Sequence, residues 1–338
     1  MIVTRRFPRH LLLAFGLRVF GIAALWATVV FAAYVYGGLS FLKVPYLPIA
    51  TIGTAVAFYM GFKNNSAYDR FWEGRKIWGG IVNSSRTWAT AVTSYVDPTQ
   101  TTDRTHATQR ELVYRHLAWV NALRLQLRKT SRFHHKPSVS TKRRLESHAD
   151  LMRNDWDKEL APFLDAEELT QVSARANPAT HLLQRQGREL AELVEAGRLD
   201  MFRQLELMSV IEELYALQGK CERIKNTPFP RQYAEFSSIF VRVFVFLLPF
   251  GMLDVFVEGE GAALDVANGV LMILASGLVG WVFLTMEGIG DSSEDPFERS
   301  MNDVPMNALS RTIEIDLREM LGETELPEKE PAAGFILY

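Results

Sequence analysis

Four long apolar stretches constrain this sequence more than any other feature. They cover approximately residues 11–36, 44–62, 237–257 and 267–286 of the 338-residue chain. A hydrocarbon layer about 30 Å thick needs about 20 apolar residues in a helix, because every backbone N–H and C=O group must find its partner within the segment. The sequence therefore predicts four membrane-spanning helices, the second of which is only marginally long enough.

The long stretch between the second and third apolar segments has the composition of a water-exposed helical region. Its clearest amphipathic helix is Leu199–Ile224, in which apolar residues recur at three- and four-residue steps. Asp165-x-x-Glu168 has the pattern of a capping box, and Asn177-Pro178 has that of a helix start. The basic run from 131 to 147 is expected to form an exposed loop or helix edge.

These patterns predict an all-α membrane protein with four transmembrane helices per subunit and a large cytoplasmic helical region. The N-terminus and the segment after the second span are rich in Arg and Lys, whereas Asp254–Asp265 carries four acids and no base. The positive-inside rule then places both termini in the cytoplasm, with the protein in the inner (plasma) membrane. The expected segments are two spans, the cytoplasmic helical region, two further spans, and a C-terminal segment ending in a tail: 1–62, 63–236, 237–286 and 287–338.

Composition argues against several other classes of protein. The net charge of −2 does not favour a nucleic-acid binder, and the single cysteine, Cys221, allows neither an intrachain disulfide nor a cysteine-based zinc site. His134 and His135 are adjacent, so their side chains point to different faces and we expect no metal there. No phosphate-binding loop or nucleophile motif stands out. We therefore expect no enzyme activity, no cofactor and no nucleic-acid partner.

The second apolar segment carries an aromatic stripe. Thr54, Phe58 and Phe62 stand at i, i+4 and i+8, which is one face of a helix. Such a stripe could line a pore or pack against another helix, and periodicity alone favours packing.

The region from 61 to 86 mixes charged and aromatic residues in an order that resembles the signature of the bestrophin family. The matching residues are Asn64, Asn65, Asp69, Arg70, Glu73, Arg75, Trp78 and Arg86. Two further pieces agree in order and spacing. They are the sequence TPFPRQY at 227–233, just before the third span, and Asp295-Pro296-Phe297 after the fourth. The resemblance extends over roughly residues 5–322.

This resemblance implies a homopentamer with one axial pore. By position, Thr54, Phe58 and Phe62 correspond to the narrow pore neck, and Phe229 corresponds to the cytoplasmic aperture. Apolar rings cannot replace an ion's hydration shell, so they gate by wetting and dewetting. Thr54 departs from the larger aliphatic residue usual at its level, which suggests a wider or wetter entrance to the neck.

Eukaryotic bestrophins carry a run of acids after the last motif that binds calcium, a cation that prefers several carboxylate and carbonyl oxygens. Here the equivalent stretch, 298–303, is interrupted by Arg299 and Met301. We therefore expect no calcium activation and no metal site. The nearby acids are expected to cap helices or pair with arginine: Asp291, Glu294, Asp295 and Asp303.

The function that the resemblance implies is a pentameric bestrophin-like ion channel for small monovalent ions, with anions such as chloride slightly preferred. Its expected partners are the lipid bilayer, the permeant ions and further copies of the same chain. The alternatives are a monovalent cation channel of the same fold, such as a sodium channel, and a membrane-anchored scaffold or sensor that does not conduct. A secondary transporter is not favoured, because the sequence shows no internal repeat.

Overall fold

The computed structural model describes residues 1–5, 9–97, 103–129, 145–257 and 266–338. Most of the basic run at 131–147, including His134 and His135, lies outside these residues. The chain is helical within the described ranges, where β-structure is limited to isolated bridges. The α-helices in these ranges are α1 (Arg9–Val35), α2 (Tyr46–Tyr95), α3 (Asp103–Arg128), α4 (Trp156–Leu160), α5 (Ala166–Ser173), α6 (Pro178–Glu195), α7 (Met201–Asn226), α8 (Arg231–Phe256), α9 (Val266–Ser293) and α10 (Met306–Met320).

The chain divides into two compact units. The apolar unit comprises residues 4–70 and 229–295, and the polar unit comprises residues 1–3, 71–228 and 296–338. The segment boundaries predicted at 62, 236 and 286 are based on hydropathy, whereas these two units are based on contacts between residues. The units therefore do not test the predicted segments, which stay a prediction.

Within the described ranges, four helices are long and apolar enough to cross a membrane, which agrees with the four predicted spans. The candidate stretches are Gly16–Val35, Ser40–Tyr95, Arg231–Phe256 and Val266–Ser293. Within the apolar unit, α9 packs closely on α1 and α8. Small residues permit this approach, since a Cβ at Gly269 would lie 2.3 Å from Phe31 and one at Gly280 would lie 2.8 Å from Ala23.

Helix α2 continues well beyond the predicted exit of the second span. The helix passes through Lys63-Asn64-Asn65 and runs unbroken for 50 residues. At 1.5 Å per residue this is about 75 Å, more than twice the hydrocarbon thickness. The side chains of Lys63 and Asn64 are bonded to α9, so they do not compete for the α2 backbone.

The polar unit is a helical assembly with its own apolar core. Helix α3 packs against α6 and α10, and α6 packs against α7. The predicted N-caps are confirmed: Asp165 accepts from the backbone N–H of Glu168 at 2.7 Å, and Asn177 caps α6, which begins at Pro178. The Glu168 carboxylate of the predicted capping box instead accepts from Arg115. The predicted amphipathic helix is confirmed as α7, whose buried stripe contains Leu207, Ile211, Leu214, Leu217, Cys221 and Ile224.

The last residues do not form the predicted tail. Ile336 and Tyr338 are buried, Ile336 forms a bridge with Ile2, and Leu337 accepts from the amino group of Met1 at 2.5 Å. The prediction from Pro and Gly content was wrong because the side chains of Ile336 and Tyr338 join an apolar cluster with Met152, and the backbone bonds to the first three residues.

Candidate pore-lining site

The predicted neck residues lie on an open face of α2. Phe58 and Phe62 are 70% and 60% exposed on the single chain, and their rings meet edge to face with centroids 4.9 Å apart. Thr54 lies exposed one turn earlier. An aromatic face this open requires a cover of lipid, a second chain or a pore.

The opposite face of α2 is packed within the apolar unit, which fixes how the aromatic stripe is presented. Val56 and Met60 are buried, and Gly53 is required because a Cβ there would lie 2.5 Å from the Phe244 ring. The hydroxyl of Thr54 donates to the carbonyl of Ala50 at 3.0 Å. This bond uses the hydroxyl hydrogen and leaves the oxygen able to accept from water, so the wider or wetter neck entrance stays a prediction.

Phe229 differs from the neck phenylalanines. It lies in the short connection before α8, and its side chain is 5% exposed. A ring buried in the single chain does not present an open face to a pore. Its assignment to the aperture therefore rests on the family resemblance and stays a prediction.

The first half of the signature binds the end of α9 within the apolar unit. Asn64 donates to the carbonyl of Met286 at 3.1 Å. Arg70 donates to the carbonyl of Glu294 at 2.9 Å and lies 3.6 Å from the carboxylate of Asp295. These side chains hold α2 against α9. Asn65 and Asp69 are exposed.

The second half of the signature lies in the polar unit and forms ion pairs and packing contacts there. Glu73 pairs with Arg223 at 2.7 Å, and Arg86 pairs with Asp316 at 2.6 Å. Trp78 is fully buried. Arg75 is half-buried on the same helix. This part of the signature is therefore a salt-bridged helix face.

The last signature residues form a loop built around one carboxylate in the polar unit. Asp303 accepts from the backbone N–H groups of Phe297, Arg299 and Val304, each at 2.6 Å, and from Arg128 at 2.7 Å. Phe297 and Arg299 adopt positive φ angles of 79° and 64°. The side chains of Pro296 and Phe297 pack against Gly74. A guanidinium thus neutralises the acid that closes this loop.

The predicted pairing of the other acids is largely confirmed. Glu294 lies 3.8 Å from Arg231, and Asp295 lies 3.6 Å from Arg70. Asp291 instead pairs with Lys63 at 2.6 Å, which is neither the helix cap nor the arginine pair expected for these acids. Among the described residues no group of three or more His, Cys, Asp or Glu side chains is arranged to hold a metal ion.

Glu294 has an unusual ionisation. Burial raises the pKa of its carboxyl to about 7, and the neighbouring charge of Asp295 acts in the same direction, while Arg231 opposes them.

Lys63 is the functional candidate that the sequence did not reveal. It directly follows Phe62, at the end of the second predicted span. Its ammonium group is buried and bonded to Glu287 at 2.9 Å. The sequence feature that could have revealed its role is an acid, Glu287, near the end of the fourth apolar stretch. A lone acid in that position suggests a cationic partner in another span.

These features define a helical membrane protein with four candidate spans and an exposed aromatic stripe on the second. The family model described as Bacterial/Fungal Bestrophin protein matches residues 7–319. The chain belongs to the bestrophin family.

Similar proteins agree with this assignment. The chain is 32% identical over 289 residues to a voltage-dependent anion channel-forming protein of Mesorhizobium japonicum, covering 85% of this chain and 79% of that one. It is 30% identical to the voltage-dependent anion channel-forming protein YneE of Escherichia coli, covering 88% and 82%. The crystal structure of a bacterial bestrophin homologue from Klebsiella pneumoniae matches with a TM-score of 0.75 and 25% identity, over 91% of this chain and 99% of that one.

Proposed function

We propose that this chain is the subunit of a homopentameric channel in the inner membrane that conducts small monovalent anions, with chloride preferred. The observation that carries the proposal is the open stripe of Phe58 and Phe62 on α2, in a family whose relatives are named anion channel-forming proteins. Five copies of this stripe around an axis would form stacked aromatic rings. Such a constriction is dry when narrow and conducts when slightly wider.

Ring chemistry supports anion passage without requiring it. The edge of a Phe ring is electropositive and its face electronegative, and the edge-to-face pair of Phe58 and Phe62 presents both. An anion can therefore meet ring edges in the neck. Because a cation can also meet ring faces, the sign of the permeant ion has to be measured.

The reversal potential of the purified protein in a planar bilayer under a KCl gradient tests the proposal. We expect a potential near the chloride equilibrium value and a larger current for Phe58→Ala, because removing the ring widens the constriction. Phe41→Ala is the matched control, since Phe41 is equally exposed at 73% but lies outside α2. Its current should equal that of the parent.

Other results would redirect the assignment. A potential at the potassium value would identify a cation channel. Absence of current from a folded oligomer would favour a membrane scaffold. The mass of the detergent-solubilised complex checks the stoichiometry against five copies of the 38.3 kDa chain.

Calcium is expected to leave the current unchanged. The carboxylate of Asp303 already accepts from three backbone N–H groups and from Arg128, whereas calcium requires six to eight oxygen ligands. Currents recorded with excess chelator and with added calcium on the cytoplasmic side should therefore superimpose. Activation by calcium would contradict this expectation and would require the loop to rearrange.

A further inference from the structure

Three helices of the apolar unit meet at one ionic cluster, which is buried at Lys63 and Glu287 and exposed at Asp291. Lys63 on α2 bonds to Glu287 at 2.9 Å and to Asp291 at 2.6 Å, both on α9. Ser237 on α8 donates to the second carboxylate oxygen of Glu287 at 3.1 Å. The Lys63 side chain is 1% exposed and that of Glu287 is 9% exposed. We call these four residues the lysine cluster.

Burial leaves the paired groups of the lysine cluster little freedom to change position. A charge removed from water depends on its partner, so separating Lys63 from Glu287 would leave the Glu287 carboxylate buried without a cation. The adjacent Asn64 also restricts sliding of α2 along α9. Its amide oxygen packs so close to Gly290 that a Cβ added to this glycine would lie only 2.1 Å away. Helix α2 is thereby held in one register against the last turns of α9.

The lysine cluster is one residue away from the neck. Lys63 and Phe62 are neighbours in α2, so consecutive side chains point in directions about 100° apart, given 3.6 residues per turn. Lys63 faces the buried side and Phe62 the open side. Any shift of Lys63 relative to α9 therefore displaces the Phe62 ring.

We propose that the lysine cluster positions Phe62 and so sets the width of the inner ring of the pore neck. This inference rests on the proposed channel function and makes Lys63, Glu287 and Asp291 positioning residues that do not contact the ion. Loosening the cluster releases the Phe62 ring from its constricting position, which increases the current.

The experiment compares bilayer currents of Lys63→Met, Lys63→Arg and the parent. We expect a several-fold larger current for Lys63→Met and a current near the parental one for Lys63→Arg, which keeps the charge. Lys76→Met is the matched control, because Lys76 is on the same helix and exposed. Its current should match that of the parent.

A double-mutant cycle separates positioning of Phe62 from a general structural effect. Lys63→Met is repeated in the Phe62→Ala background, and we expect its effect to disappear there, because the ring through which it acts is gone. An undiminished effect in that background would overturn the proposal. Glu287→Gln, which removes one charge at nearly constant volume, should reproduce the larger current if Lys63→Met does not assemble.

The remaining outcomes are also decisive. If Phe58→Ala changes the current but Lys63→Met and Glu287→Gln do not, the positioning role is refuted and the channel function is left intact. If both variants fail to assemble while Lys63→Arg succeeds, the cluster serves folding and the positioning role is rejected. A folded parent without current removes the proposed function and this inference together.

Discussion

Replacing Asp303 with alanine is expected to lower the stability of the polar unit by about 3–5 kcal/mol, the usual cost of breaking a buried ion pair. Asp303 and Arg128 both have side chains that are 3% exposed and lie 2.7 Å apart. The substitution leaves the Arg128 guanidinium buried without its carboxylate and removes the acceptor of three backbone N–H groups. Phe297 and Arg299 would then lose the bonds that hold their left-handed backbone conformations.

Thermal unfolding of the purified protein measures this effect. For a unit of this size the expected fall in melting temperature is roughly 10 °C. Asp157→Ala is the control, because Asp157 is exposed in the first turn of α4 and should cost at most about 1 kcal/mol. The melting temperature of Asp303→Asn should lie between those of these two variants, since asparagine keeps one acceptor oxygen but loses the charge. Equal melting temperatures for Asp303→Ala and the control would contradict the central role of this carboxylate.

The features predicted from sequence are those that depend on local pattern. Apolar length predicted the four spans, and the caps at Asp165 and Asn177 follow from side chains that bond three residues ahead. The stripe of Phe58 and Phe62 follows from helical periodicity, although its exposure could only be seen once the opposite face was packed.

The features that sequence reasoning missed depend on partners far apart in the chain. Lys63 and Glu287 are separated by 224 residues, and Arg128 and Asp303 by 175. A lysine after an apolar run is usually a sign that the helix leaves the membrane, because a lone charge in lipid is costly. Here the acid on α9 gives Lys63 a buried partner, which the pattern around the lysine does not reveal. The burial of Phe229 was missed for the same reason, because the contacts that cover it are not local.

Acid is expected to destabilise the polar unit through His116. This imidazole is fully buried between Trp88 and Trp119, with ring centroids 6.1 and 5.2 Å away. Ser85 donates its only hydroxyl hydrogen to the carbonyl of Ile81 at 2.7 Å, so it must accept from Nε2–H of His116 at 2.8 Å. The imidazole is therefore the neutral Nε2–H tautomer. Its Nδ1 is buried without a hydrogen-bond partner among the described residues.

Burial lowers the pKa of His116 from 6.5 to about 3. The unfolded chain therefore binds a proton below pH 6.5 that the folded chain does not bind until about pH 3, and stability falls as the pH decreases through this window. Between pH 7 and pH 5 the loss is about 2 kcal/mol, from 1.36 kcal/mol per pKa unit. This corresponds to a fall in melting temperature of roughly 4–8 °C.

His116→Gln isolates this contribution from that of the carboxylates, which titrate in both proteins. The variant is expected to melt at a lower temperature than the parent at pH 7, because it alters a filled site. The stability that the variant loses between pH 7 and pH 5 should be smaller than the loss in the parent by about 2 kcal/mol, since glutamine does not titrate. Melting curves of both proteins at several pH values supply the comparison. Parallel pH dependence would mean that His116 is protonated in the folded state, with an acceptor for Nδ1–H that the described residues do not provide.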